Sequence, residues 1–222
     1  DHWGLNDPPL ERFASWGKNV LKGDFGTSIT YKQQVSTVIL ERFKYSIVLM
    51  LVAWCFSGIV GFLIGVLAGI YKGGLFDKII KIFCLALQSA PTFWIGLLIL
   101  SLFSVYLGWF PIGFAVPMGK LSLEITIWDR IYHLILPALT LSILGISRVT
   151  LFTRQKLIEI LNSDFILFAK ARGENTRQLV IRHGLRNIAL PAITEQFASF
   201  SELFGGIALA ETVFSYPGLG TA

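Results

Sequence analysis

Two glutamates, Glu195 and Glu202, lie inside an otherwise apolar stretch of this sequence. Seven residues separate them, so a helix of 3.6 residues per turn places both on nearly the same face. Where such a stretch crosses a membrane, a carboxylate is costly and normally faces protein or a water-filled cavity. We therefore expect this face to line a passage or a subunit interface. The alternative is that one or both carboxylates pair with a structural base such as Arg148, or lie near the membrane boundary.

A second polar stretch, residues 153–187, carries seven Lys or Arg and three acidic residues between two apolar runs. Ser163 and Asp164 are good N-cap residues, and Gly173 is a typical C-terminal stop. The spacing predicts a short helix over residues 164–172. Asn175 and Gln178 then stand at capping-box spacing, which predicts a second short helix ending at Arg186.

The sequence lacks the motifs of the enzymes that would compete with a binding or transport role. There is no G-x-x-x-x-G-K-[ST], no H-E-x-x-H and no G-x-S-x-G. The three histidines, His2, His133 and His183, lie in separate regions, and no His/Cys pair has metal-ligand spacing. We therefore predict neither an intramembrane enzyme nor a metal site. Cys55 and Cys84 are interpreted as buried small hydrophobes.

The composition indicates a membrane protein. Of 222 residues, 54% are hydrophobic and 15% charged, and the mean hydropathy is +0.64. A soluble domain of this size needs more surface charge. The net charge of +5 is better explained by cytoplasmic loops than by nucleic-acid binding. Because the chain begins with Asp and stops soon after a Pro-Gly turn, we expect native residues to be missing at both ends.

Apolar runs of sufficient length predict four membrane helices, at residues 45–70, 82–108, 134–152 and 188–210. Gln88, Ser89 and Pro91 interrupt the second, and such a break often lines a pathway, although many breaks only shape the bundle. Pro191 is predicted to open the fourth. Residues 1–44 are predicted to form an amphipathic layer outside the membrane, and residues 45–222 the transmembrane domain.

Glycines 61, 65 and 69 form a small-residue stripe on the first predicted helix. Such a stripe serves packing within the chain or contact with a partner subunit.

Loop charge predicts the orientation. Loops 71–81 and 153–187 fall on one side by helix parity, and both carry excess basic residues, whereas loop 109–133 is balanced. The first two are therefore expected in the cytoplasm, and residues 1–44 outside.

Several collinear stretches resemble the permease subunits of binding-protein-dependent type I ABC importers, in the peptide/nickel branch. The resemblance rests on FAKARG (168–173), RHGLRN (182–187) with ALP (189–191), GDFGTS (23–28), SAPTFW (89–94), HLILPALT (133–140), and ETVF (211–214) with YPGLG (216–220). It implies an all-α polytopic bundle, with four or five of the usual six transmembrane helices in this chain, in a bacterial inner membrane.

The resemblance also implies a function and partners. Such a chain is a non-catalytic permease subunit that forms the path for nickel, a nickel chelate or short peptides. Its partners are a second homologous permease, two cytoplasmic ATP-binding subunits and an extracellular solute-binding protein. ATP and Mg are bound by the ATPase, and this chain binds no cofactor. A channel or secondary transporter without an ATPase remains the alternative.

The resemblance gives residue roles at a cytoplasmic coupling loop, at about 153–190. It implies that the short helix lies in a groove of the ATPase. The residues expected to make or shape that contact are Asp164, Phe165, Phe168, Ala169, Lys170, Arg172, Gly173 and Arg177. The residues expected along the translocation path are Gln88, Pro91, Glu195 and Glu202.

Overall fold

The computed structural model describes residues 8–120 and 123–221, and this part of the chain is built of helices. Its only β-bridge is an isolated one between Thr27 and Gln34. The α-helices are α1 (Pro9–Leu21), α2 (Val35–Ile70), α3 (Leu75–Ser89), α4 (Thr92–Leu100), α5 (Ile127–Leu161), α6 (Asp164–Ala171), α7 (Thr176–Gln178), α8 (Leu185–Ala198) and α9 (Phe200–Val213). A π-helical turn, Ser101–Tyr106, extends α4, and another, Leu179–Gly184, joins α7 to α8.

Two long parallel helices, α2 and α5, form the centre of the bundle. They have 36 and 35 residues, so each is about 50 Å long and exceeds the hydrocarbon core of a bilayer. Both are apolar enough to cross a membrane. The contacts advance together along the two helices: Ser57 packs on Gly145, Gly61 on Val149, and Gly69 on Leu157.

The glycine stripe of α2 is what lets α5 approach so closely. A Cβ atom at Gly65 would lie 2.7 Å from the Thr150 carbonyl oxygen. The Thr150 hydroxyl also donates a hydrogen bond of 3.2 Å to the Gly61 carbonyl. The stripe is therefore used for packing within the chain. The alternative prediction, that the stripe contacts a partner subunit, is wrong, because α5 already covers the stripe.

Both long helices extend beyond their predicted ends. Helix α2 begins at Val35 instead of residue 45, and α5 runs from Ile127 to Leu161 instead of 134 to 152. The start of α5 is fixed by a capping box between Thr126 and Asp129. The first nine residues of the predicted loop 153–187 are consequently helical. Hydropathy marks only the part of a helix that contacts lipid, and the polar turns on either side are invisible to it.

The second predicted span is broken at Pro91. Helix α3 and the α4 segment through Tyr106 meet at an angle of 108°. The predicted interruption is therefore confirmed, although α3 begins at Leu75 and the preceding loop shrinks to 71–74. Proline has no N–H to donate back to α3, so the helix ends at Ser89 and α4 starts afresh at Thr92. By length and composition, α2 and α5 are spans, and the bent pair is a third if it counts as one.

The segment predicted as the fourth span contains two 14-residue helices, α8 and α9, separated at Ser199, and neither is long enough by itself to count as a membrane span. Pro191 was expected at the start of this span but lies inside α8. The π-helical turn before α8 carries the helical path from the polar loop into the bundle without a stop at Arg186, so the predicted end of the second short helix is wrong.

The protein core lies between α2, α4, α5 and α9. Its fully or almost fully buried members include Leu49, Leu136, Leu141 and Phe214. Cys84 is buried as predicted, but Cys55 is exposed. Cys55 lines an apolar cavity of about 490 Å³ between α2 and α8, so its side chain remains accessible and is not packed in the core.

Candidate functional site

The predicted short helix is confirmed as α6, Asp164–Ala171, one residue shorter than expected. Gly173 has a φ of +90°, and its N–H donates to the Lys170 carbonyl while the Glu174 N–H donates to the Ala169 carbonyl. This pair of bonds is a Schellman motif, which favours glycine at its left-handed position. Ser163 occupies the N-cap position, but its hydroxyl donates to the Ile160 carbonyl and does not cap α6.

Helix α6 has an inner and an outer apolar face. Ile166 and Ala169 pack inward on Leu179. Phe165, Leu167 and Phe168 are exposed, Phe168 by 67%. Ala169 is only 6% exposed, so its side chain serves the internal packing of the loop and is not available to a partner. Three large exposed apolar side chains on a helix of eight residues form an apolar patch of the kind that marks an interaction site.

Charged side chains of α6 and of the loop after it are also exposed. Asp164, Lys170, Arg172 and Arg177 are all exposed. None of the three bases forms an ion pair with any residue in 8–120 or 123–221. The loop that carries the exposed aromatic side chains of α6 therefore also carries three exposed positive charges.

The loop after α6 continues into the membrane helices through a nearly continuous helical path. The capping box predicted at Asn175 and Gln178 is present, with reciprocal hydrogen bonds of 2.9 Å. From there the helical path runs through α7 and the π-helical turn into α8. His183 bonds to Glu174 at 3.2 Å, which ties the turn back to the end of α6.

A polar cavity of about 300 Å³ lies within the bundle, between α2, α3, α4, α5 and α9. Gln88 and Glu202, two of the four residues expected along the translocation path, line it. Pro91 and Glu195 are not among its lining residues, although Pro91 creates the break beside it. Glu195 lies in α8 and Glu202 in α9, so the interruption at Ser199 separates the two carboxylates that a continuous helix would have aligned.

Glu202 forms an ion pair with Arg148, which also lines the cavity. The expected alternative, a structural base for one of the carboxylates, is therefore correct for Glu202. Pairing with Arg148 does not exclude a position along a passage, because the ion pair itself faces the cavity.

Sequence reasoning missed Gln196, which is buried between α2 and α8. Its side-chain amide donates to the Trp54 carbonyl at 2.7 Å, and the Trp54 indole N–H donates to the Gln196 carbonyl at 2.9 Å. A glutamine one residue from a glutamate gives no signal of its own in the sequence.

Sequence reasoning also treated Asp77 as a loop residue, whereas it is buried in α3. Arg154 of α5 contacts both of its carboxylate oxygens, at 2.7 Å for Nη2 to Oδ2. The Gly73 N–H donates to Oδ2 at 2.8 Å. The pair joins the loop after α2 to the end of α5, so the two basic loops lie at the same end of the bundle, as helix parity predicted.

The side-chain types that usually bind metal ions do not cluster in the described residues. In the described parts of the chain, no group of three or more His, Cys, Asp or Glu side chains is close enough to hold a metal ion. His133 is buried and bonds through Nδ1 to the Gly113 carbonyl at 2.9 Å. His2 lies outside the described residues.

Comparison with known proteins places these features in a family. Residues 61–222 match the family described as binding-protein-dependent transport system inner membrane component. The chain is 37% identical to the oligopeptide transport system permease protein AppB of Bacillus subtilis, over 99% of this chain and 69% of that protein. It is 34% identical to the di/tripeptide transport system permease protein DppB of Pseudomonas aeruginosa, over 98% and 69%. It is 33% identical to the glutathione transport system permease protein GsiC of Salmonella choleraesuis, over 98% and 67%.

The relatives are permease subunits of ABC transporters, which are membrane components without catalytic activity of their own. The matched region includes the bent pair, the whole of the α6 loop and every residue that lines the polar cavity except Trp54 and Ser57. This chain is a multi-pass membrane protein and belongs to the binding-protein-dependent inner membrane components, in the peptide branch of type I ABC importer permeases.

Proposed function

We propose that this chain is the permease subunit of an importer for short peptides, driven by separate ATP-binding subunits. The observation that carries this proposal is the exposed aromatic face of α6, at the end of the bundle where Asp77 and Arg154 also meet. An apolar patch on a short, well-capped helix is suited to a groove in another subunit.

The role of α6 follows from its two faces. Phe165 and Phe168 supply apolar contact with the ATPase, and Lys170, Arg172 and Arg177 supply charge at the rim. Ala169 holds α6 on the loop from the inside. Gly173 lets the chain turn sharply after the helix, which keeps α6 short and its outer face accessible.

Transmission into the membrane follows the helical path from α7 to α8. When ATP closes the ATPase subunits, α6 moves with them, and the capping box and π-helical turn carry that movement to α8 and α9. The permease then rocks as a rigid body between inward and outward access. Glu202, at the start of α9, lies where such a movement changes the polar cavity.

Peptides are favoured over nickel as the substrate by the relatives. Those compared are named for oligopeptides, di/tripeptides and glutathione. The proposed complex also contains a second homologous permease, two ATP-binding subunits and an extracellular binding protein that delivers the substrate. It lies in a bacterial inner membrane with α6 on the cytoplasmic side.

Two measurements test the proposal together. Cells with and without this chain are compared for uptake of a labelled dipeptide and of labelled nickel. Loss of dipeptide uptake alone is expected, whereas loss of nickel uptake alone would overturn the peptide assignment.

The permease is then purified to see whether ATP-binding subunits accompany it. Phe168→Asp should reduce the ATPase recovered with it, because a charge replaces the exposed ring. Tyr106→Asp is the matched control, since Tyr106 is an exposed aromatic at the other end of the bundle. Equal recovery from wild type and Phe168→Asp would contradict the role of α6.

A further inference from the structure

The polar cavity lies where the two helix breaks of the bundle meet. Gln88 and Thr92, on either side of the break at Pro91, line it together with Ser199, the residue between α8 and α9. Breaks in membrane helices are tolerated where they face protein or a water-filled cavity. Both interruptions therefore open on the same space.

The Arg148–Glu202 ion pair faces this space at membrane depth. Arg148 lies within the apolar segment 134–152, four residues before its end, and Glu202 lies within the apolar segment 188–210. The side chains of Arg148 and Glu202 are 41% and 57% exposed. A charged pair within apolar segments faces water or protein and not lipid. Its accessible surface is therefore available to whatever enters the cavity.

The pair is weakly anchored compared with the other arginine–carboxylate pair of the bundle. The Arg154 and Asp77 side chains are only 14% and 4% exposed, and Asp77 also accepts a backbone N–H. Within the described residues, Arg148 and Glu202 make no side-chain hydrogen bond to any third group. Most of the guanidinium donors and carboxylate lone pairs thus remain free for a ligand.

We propose that Arg148 and Glu202 form a binding site for the two charged ends of a short peptide. Arg148 binds the α-carboxylate, and Glu202 binds the α-ammonium group. Gln88 and Thr92 offer polar groups to the peptide bond between them. The inference rests on the proposed function, since it names the groups that the substrate contacts on its way through the permease.

Charge balance explains why the site suits a zwitterion. A peptide that separates the ion pair gives each side chain a new partner of opposite charge, so neither charge is left unpaired in the cavity. A substrate with a single charge would leave Arg148 or Glu202 without a partner. The cavity volume of about 300 Å³ is at the small end of ligand sites, which favours peptides of two or three residues.

The experiment uses the full permease–ATPase complex in nanodiscs, without the binding protein, and labelled L-alanyl-L-alanine as the probe. Omitting the binding protein removes its own selection of substrates. Binding is compared for the free dipeptide, its N-acetyl form and its C-terminal amide. In the wild type, each blocking group should weaken binding about tenfold or more, the value of one charge-assisted hydrogen bond.

The variants should give a crossed pattern. Glu202→Gln should weaken binding of the free dipeptide and abolish the effect of N-acetylation, while the effect of amidation remains. Arg148→Met should do the reverse. Lys120→Gln is the control, because it breaks the exposed Lys120–Asp129 pair outside the cavity and should leave all three affinities unchanged. A pair that only stabilised the fold would lower every affinity equally.

Other outcomes separate this inference from the proposed function. If cells take up the dipeptide but the wild-type complex shows no saturable binding at millimolar concentration, the site is wrong and the peptide importer stands. If the two variants lose the second permease while the remaining complex binds the dipeptide normally, the pair is a subunit contact and the inference is overturned. If cells without the chain still take up the dipeptide normally, the proposed function itself fails.

Discussion

Glu211 accepts a hydrogen bond of 2.6 Å from the backbone N–H of Gly220, nine residues further along the chain. Its carboxylate is fully buried and also accepts from the Ser46 hydroxyl, which in turn accepts the Leu219 N–H at 2.9 Å. The chain after α9 thus folds back over the start of the membrane-spanning part of α2. Burial also raises the pKa of the neighbouring Tyr216 phenol to about 12.

Gly218 is expected to be indispensable to this fold-back. A Cβ atom there would overlap the Glu211 carboxylate, so Gly218→Ala must displace a buried charge from its donors. We expect a loss of about 2 kcal/mol or more, seen as a lower apparent melting temperature of the purified complex. Glu211→Gln should cost less, since the amide keeps the shape and one acceptor.

A double substitution separates overlap from lost hydrogen bonds. If overlap dominates, adding Glu211→Ala to Gly218→Ala should cost less than the sum of the two single changes. If the losses of stability from the two single changes are additive, Gly218 is needed for its backbone conformation and not to avoid overlap with Glu211.

The contact between α2 and α5 gives a second prediction. At Gly65 a Cβ atom would lie 2.7 Å from both the Thr150 carbonyl oxygen and the Thr153 Cβ, and the carbonyl belongs to a helix that cannot yield alone. Gly65→Ala should therefore cost about 1–3 kcal/mol as the helices separate. Gly205→Ala is the matched control, because open space surrounds that position in α9. Equal melting temperatures for the two variants would contradict the close packing.

Sequence reasoning located the apolar segments because hydropathy and helix length are set by the bilayer. It placed the break at Pro91, the stop at Gly173 and the capping box at Asn175 because each depends on a single residue type or a fixed local spacing. These features are decided within a few residues, so no knowledge of the partner helix is needed.

The remaining features depend on which helices meet. Arg148 and Glu202 are 54 positions apart, and nothing in the sequence alone selects Arg148 from the other bases. Asp77 looked like a loop acid because the polar first turn of α3 resembles a loop in hydropathy. The coupling face was predicted with Ala169 included, since periodicity locates an apolar stripe but does not show which side the rest of the loop covers.

The Asp77–Arg154 pair gives a third prediction. Asp77→Ala leaves a buried guanidinium and the Gly73 N–H without their acceptor, so we expect a loss of about 3 kcal/mol. Lys156→Gln is the control, because it breaks the exposed Lys156–Glu159 pair on the same helix and should change little. Thermal unfolding of the purified complex provides the comparison, and a small effect of Asp77→Ala would show that water replaces the lost carboxylate.

Gly173 provides the last prediction, which tests the effect of backbone strain without any steric overlap of the new side chain. Nothing lies within 4 Å of a Cβ atom built there, but the φ of +90° strains any L side chain. Gly173→Ala should therefore cost about 1–2 kcal/mol locally, and Gly173→Asn less, because Asn tolerates the left-handed region better.

If the turn after α6 presents that helix to the ATPase, the ATPase recovered with the permease should fall in the order Gly, Asn, Ala. Gly108→Ala is the matched control, since Gly108 also has a positive φ and an open Cβ position but lies beyond the π-helical turn, at the opposite end of the bundle from α6. It should lose a similar stability without losing the ATPase. A loss of ATPase from Gly108→Ala as large as that from Gly173→Ala would mean that general destabilisation, and not the shape of the α6 turn, governs the assembly.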